Sequence, residues 1–84
     1  MNRQAVLDVL NSLEVVDQIG GESPYILVAN NEENRMKLNA VGVTDETITR
    51  YGDDETFCIL ALAFSEGYAD EYRDGKLVLW WGGR

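Results

Sequence analysis

The sequence predicts an α+β fold: a small single domain in which several short helices pack on a small antiparallel sheet that includes a C-terminal β-hairpin. Three observations support this. Apolar residues near the N-terminus recur at helical spacing, the middle of the chain repeats helix caps and glycine stops, and Asp74-Gly75 is a favoured pair for a two-residue hairpin turn. With 84 residues and 45% apolar content, the chain is expected to form one globular domain over 1–84.

The first element is predicted to be a helix. Its apolar positions recur at i, i+3, i+4 and i+7, which places them on one helix face: Val6, Val9, Leu10 and Leu13. Asn2 is a suitable N-cap because its side-chain oxygen can accept a backbone N–H of the first turn. The apolar stretch 15–19 that follows fits either an extension of this helix or a short strand.

A buried strand is predicted over residues 25–29. It follows a glycine- and proline-containing turn at 20–24, and it is short, apolar and partly β-branched.

Two helices are predicted after the strand. Asn31 precedes two glutamates, which suit the positive end of a helix dipole, and Gly42 is the expected stop. Thr44 is the expected cap of the second helix, and Gly52 is its expected stop.

A longer helix is predicted from Asp54 to about Glu66, with Asp53 as its cap and Gly67 as its end. One face would carry the apolar side chains Phe57, Leu60, Ala61 and Phe64. Apolar residues also occupy the opposite side, so a buried strand is the alternative. The lone cysteine, Cys58, lies inside this run and is predicted to be buried and unreactive.

The predicted hairpin has Asp74-Gly75 at its tip, so that Arg73 faces Lys76 and Tyr72 faces Leu77. Strand alternation then directs Trp81 into the core and Trp80 to the opposite face. An exposed tryptophan is typical of a binding hot spot. Residues 82–84 are expected to be a flexible tail.

Composition excludes several functional classes. The chain has no histidine and one cysteine, which removes imidazole-based nucleophilic catalysis, histidine-ligated metals and an intrachain disulfide. No enzyme activity, metal or cofactor is predicted. The longest apolar run is eight residues, Phe57 to Phe64, whereas a membrane span needs about 20. The N-terminus does not have a signal-peptide pattern, and the near absence of cysteine favours a reducing cytoplasm.

The charge is strongly negative. The formal net charge is -8, and residues 45–74 contribute -7 from nine acidic and two basic side chains. Direct binding of nucleic acid or of an anionic membrane is therefore not expected. Such acids are commonly solvated surface and helix caps, and they can also form a face for lysines and arginines of a partner. The predicted partner-binding residues are Asp45, Glu46, Asp53, Asp54, Glu55, Asp70, Glu71 and Trp80.

The favoured function is a small acidic protein-binding inhibitor that occludes a basic site on a larger protein, with a nucleic-acid-binding site as one such target. Phage anti-CRISPR proteins and nucleic-acid mimics share this composition, and that analogy places the chain in the cytoplasm of a bacterial or phage-infected cell. The alternative is a host accessory or regulatory subunit with an ordinary protein interface. An enzyme is the least favoured class, because so small a core leaves little room for a cleft.

Overall fold

The computed structural model describes residues 2–19, 25–73 and 75–78. The chain begins with helix α1 (Arg3–Ser12), and the Asn2 side chain caps it by accepting the N–H groups of Gln4 at 2.9 Å and Ala5 at 3.3 Å. Its buried face carries Val6, Leu7 and Leu10. The predicted first helix and its cap are confirmed.

Residues 15–19 form a strand, which confirms the second of the two alternatives and excludes the helix extension. Strand β1 (Val15–Ile19) pairs antiparallel with β2 (Tyr25–Ala29), the predicted buried strand. Along β2, Ile26 and Val28 are buried and their neighbours are half-buried, which is the alternation of a strand with one face on the core. The register shifts between Val15 and Asp17, which makes β1 irregular at Val16.

Helices α2 (Glu32–Ala40) and α3 (Asp45–Arg50) follow; Thr44 caps α3 as predicted, and Asn31 caps α2. The Asn31 side chain accepts the Asn34 N–H at 2.8 Å, and Thr44 accepts the Thr47 N–H at 3.2 Å. Gly42 follows α2 with a φ of 99°, a left-handed conformation that glycine adopts without strain.

The predicted helix from Asp54 to Glu66 is wrong in its first half. Residues Thr56–Cys58 form β3, which pairs antiparallel with β2 and completes a sheet of order β1-β2-β3. Helix α4 (Ile59–Ser65) begins only after this strand and ends before Gly67. The run from Phe57 to Phe64 is apolar on nearly all sides, so its pattern did not distinguish a strand from a helix. Pairing with β2 makes the start of the run a strand.

The late start of α4 also changes which side chains are buried. Ile59, Leu62 and Ala63, assigned to the opposite side in the sequence, lie in the core with Leu60, and Phe64 is 44% exposed. The predicted face therefore fails at Phe64, and Ala61 is only half-buried, because the buried side of α4 is centred on Ile59, Leu62 and Ala63.

The hairpin is confirmed in the described residues. Strands β4 (Glu71–Arg73) and β5 (Lys76–Val78) pair with Arg73 opposite Lys76 and Tyr72 opposite Leu77, around Gly75 at φ 79°. The positions predicted for Trp80 and Trp81, and for the tail 82–84, lie outside the described residues.

The Asn11 side chain links α1 to the hairpin through two hydrogen bonds. The Asn11 amide donates to the Leu77 carbonyl at 3.0 Å and accepts the Leu77 N–H at 2.9 Å, while the Leu77 side chain is buried. Within the described ranges, no helix is both long and apolar enough to cross a bilayer.

Candidate protein-binding surface

Three consecutive acids, Asp53, Asp54 and Glu55, form a turn between α3 and β3 that we call the acidic loop. One Asp53 carboxylate oxygen accepts the N–H of Glu55 at 2.8 Å and that of Thr56 at 3.0 Å. The Asp53 N–H donates back to the Thr56 carbonyl at 2.8 Å. Asp53 was predicted to cap a helix, but it closes a turn instead. In either role the short side chain accepts hydrogen bonds from neighbouring backbone N–H groups.

The acidic loop is also tied to the end of β2. The Asn30 side chain donates to the Asp53 carbonyl at 2.7 Å, and the Asn30 N–H donates to the Glu55 carbonyl at 2.9 Å. The Arg35 guanidinium holds the Asn30 side chain at 3.1 Å. Both ends of the loop backbone are thus fixed to the sheet.

The outer carboxylates of the acidic loop are available for a partner. Asp54 and Glu55 are exposed. In the part of the chain that the structure describes, neither carboxylate forms an ion pair. A fixed backbone carrying two such charges loses little conformational freedom when it binds.

The Asp53 turn predicts a pH dependence of stability. The N–H groups of Thr56 and Glu55 lower the pKa of the Asp53 carboxyl below its ordinary value of 3.8. A lowered folded-state pKa adds stability above pH 3.8, and this is lost as the pH falls through the folded-state pKa. Asp53→Asn keeps the acceptor oxygen without the charge, so its melting temperature should be below that of the wild type at neutral pH.

Thermal melts from neutral pH downward test this expectation. The gap between wild type and Asp53→Asn should close as the pH falls below about 3.8. Asp53→Ala also removes the acceptor and should remain less stable at every pH. A gap between wild type and Asp53→Asn that is constant across the range would contradict the role of the Asp53 charge.

Each acid of α3 contacts another side chain of the protein. The Asp45 carboxylate accepts the Asn39 amide at 3.2 Å, which braces the connection between α2 and α3. Arg50 lies 3.5 Å from Glu46 and 3.3 Å from Glu66, so its charge is shared between two carboxylates. These contacts weaken Asp45 and Glu46 as partner-binding candidates.

Glu66 makes structural contacts that the sequence did not single out. It accepts the Tyr51 hydroxyl as well as the Arg50 guanidinium, and so joins the end of α3 to the end of α4. Burial raises the pKa of the Tyr68 phenol, and the Glu66 carboxylate adds to that rise. No spacing rule indicates a contact between residues 15 or 16 positions apart in the chain.

Glu71 lies on β4 of the hairpin, and Asp70 directly precedes that strand. Glu71 accepts the Arg73 guanidinium through both carboxylate oxygens, with distances of 2.8 to 3.0 Å, and its charge is therefore balanced. Asp70 is exposed, and its N–H donates to the Val78 carbonyl at 3.0 Å. The remaining candidate, Trp80, lies outside the described residues.

Cys58 is half-buried and packs against the core, so its predicted burial holds only in part. Its neighbour Phe57 faces the core, and strand alternation turns Cys58 to the other side of β3.

A groove of about 270 Å³ was not predicted from the sequence. It opens where the connection from α1 to β1, the end of β2 and the first turns of α2 meet. Its lining includes Glu14, Val16, Asn31, Glu33, Asn34 and Lys37. Glu14 and Val16 are distant in the chain from the lining residues of α2, and the pairing of β1 with β2 brings the two groups together.

No family model, curated protein or solved structure matches this chain.

Proposed function

We propose that this chain is a small acidic protein-binding inhibitor that occludes a basic, nucleic-acid-binding site on a larger protein in the cytoplasm of a bacterial or phage-infected cell. The observation that carries the proposal is the acidic loop: two exposed carboxylates, without ion pairs in the described residues, on a backbone held by hydrogen bonds at both ends. Binding, and not catalysis, is the proposed activity.

The overall charge supports the same proposal. A net charge of -8 on 84 residues speeds encounter with a basic cleft and repels acidic competitors. Carboxylates fixed on a loop can engage the arginines and lysines that otherwise hold phosphates.

The proposal is tested by neutralising the outer carboxylates of the loop. Asp54→Asn/Glu55→Gln leaves the Asp53 turn intact and removes two charges. Each lost contact with a basic group is worth about 0.5–1 kcal/mol, so the affinity for the partner should fall about 5- to 30-fold. Asp8→Asn/Glu32→Gln is the matched control: it replaces one exposed aspartate and one exposed glutamate elsewhere, and it should change the affinity less than about twofold.

The partner is first captured from nuclease-treated lysate on the immobilised wild-type protein, identified by mass spectrometry and purified. Its affinity for each variant is then measured by calorimetry at several salt concentrations, and the salt dependence should be shallower for Asp54→Asn/Glu55→Gln. The wild-type protein should also displace duplex DNA or RNA from the partner. Equal loss of affinity in both double variants would argue against a specific role of the loop. A complex that leaves nucleic-acid binding intact would favour an accessory subunit.

A further inference from the structure

Strand β1 is an apolar edge strand. Among the described residues it pairs only with β2, so every second residue directs its N–H and C=O groups away from the sheet. All five residues are exposed, and three are large and apolar: Val15 at 42%, Val16 at 53% and Ile19 at 48%. An exposed apolar edge of this kind is a template for a further strand.

The groove adjoins this edge at the irregularity of β1, because Val16 belongs to both. Its charge is acidic on balance. Glu14 and Glu33 both line it, and its one lysine, Lys37, already lies 3.5 Å from Glu33. Asp17 adds another exposed carboxylate on the strand itself. Positive charge on a segment bound at this edge and groove would therefore strengthen its binding.

We propose that the edge of β1 and the adjoining groove form a docking site for an extended segment of a partner protein in which apolar and basic side chains alternate. The segment would add to the sheet next to β1 through main-chain hydrogen bonds. Its apolar side chains cover Val15, Val16 and Ile19, and one lysine or arginine enters the groove between Glu14 and Glu33. This site is distinct from the acidic loop and does not depend on the proposed function.

A second copy of this chain is a poorer occupant than a basic segment. Antiparallel pairing of β1 with itself about a two-fold axis brings the two Asp17 carboxylates into neighbouring positions, and like charges across a strand pair are destabilising. Each copy also carries a net charge of -8. Charge therefore selects a basic partner over self-association.

The probe is a fluorescein-labelled peptide of sequence Lys-Val-Arg-Val-Lys-Val-Lys, followed by anisotropy at about 0.15 M salt, where long-range attraction is screened. Its counterpart has glutamate at every basic position. We expect saturable binding of the basic peptide, at least about tenfold tighter than that of the acidic peptide. Hydrogen exchange of the amides in 15–19 should slow in the complex, because N–H groups at the open edge gain acceptors.

Three variants localise the binding. Val16→Lys should weaken the basic peptide about tenfold or more, whereas Phe64→Lys, which also replaces an exposed apolar side chain by a lysine but on α4, should change binding less than about twofold. Glu14→Lys should reduce or reverse the preference for the basic over the acidic peptide. Asp54→Asn/Glu55→Gln should bind the basic peptide like the wild type, which separates this proposal from that for the acidic loop.

The proposal is overturned by absent saturable binding, by equal affinity for the two peptides, or by slowed exchange that leaves the amides of 15–19 unchanged. Sedimentation equilibrium of the protein alone is the remaining test. A dimer that Val16→Lys dissociates would overturn the basic segment as occupant and assign the edge to a second copy; a monomer is the expected result.

Discussion

Replacing Phe57 by alanine is expected to lower the free energy of unfolding by about 3–5 kcal/mol. Phe57 is among the largest fully buried side chains, at 0% exposure. It lies in the middle of β3 opposite Val28, and it forms a bridge with Gly52 across the turn that presents the acidic loop. Its removal leaves a cavity where the sheet and that turn meet, and a core this small has few other contacts to compensate.

Urea unfolding followed by circular dichroism measures this loss. Phe64→Ala is the matched control, because the same side chain on α4 is 44% exposed and its truncation should cost about 1 kcal/mol or less. Similar losses in the two variants would show that Phe57 is not the core side chain that its burial indicates.

The second large effect is expected from Gly52→Ala. A Cβ atom at Gly52 would lie 2.2 Å from the Thr56 carbonyl oxygen and 2.4 Å from the Phe57 Cα, both of them backbone atoms. Neither can yield without displacing β3, so we expect a loss of about 3 kcal/mol in unfolding free energy. The same displacement would disturb the Asp53 turn.

Gly67→Ala provides the comparison. Gly67 has a φ of 78° and open space around it, so alanine there meets only the strain of a left-handed backbone, about 1–2 kcal/mol. Urea unfolding of both variants should rank Gly52→Ala as the more damaging. The reverse order would mean that Gly52 serves only as a helix stop, which is the role that its position in the sequence predicts.

The structure separates the predicted acidic surface into groups with different roles. Asp53 closes the turn, Glu46 and Glu71 are ion-paired, and Asp54 and Glu55 remain the strongest candidates for contact with a partner. Net charge and its position along the chain are readable from the sequence. Which carboxylates are already neutralised depends on arginines brought close by folding, as Arg50 is to Glu66.

Local signals predicted much of the fold. Asn2, Asn31 and Thr44 cap helices through hydrogen bonds to residues two or three positions ahead, so their effect is contained in a short stretch of sequence. The same holds for the hairpin, whose turn fixes the pairing of Tyr72 with Leu77. The alternating burial of β2 likewise follows from a strand with one face on the core.

The sequence by itself determined the α+β class, the caps of α1 and α3, the hairpin register and the acidic charge. Only the tertiary structure decided the division of the run from Phe57 to Phe64 into strand and helix, because an apolar run without periodicity takes the form that its neighbours allow, and β2 offered an edge to pair with. The tertiary structure also placed Gly52 against β3 and left the edge of β1 exposed, and neither feature is readable from the sequence. Contacts between residues far apart in the chain arise from packing, and a short stretch of sequence does not contain them.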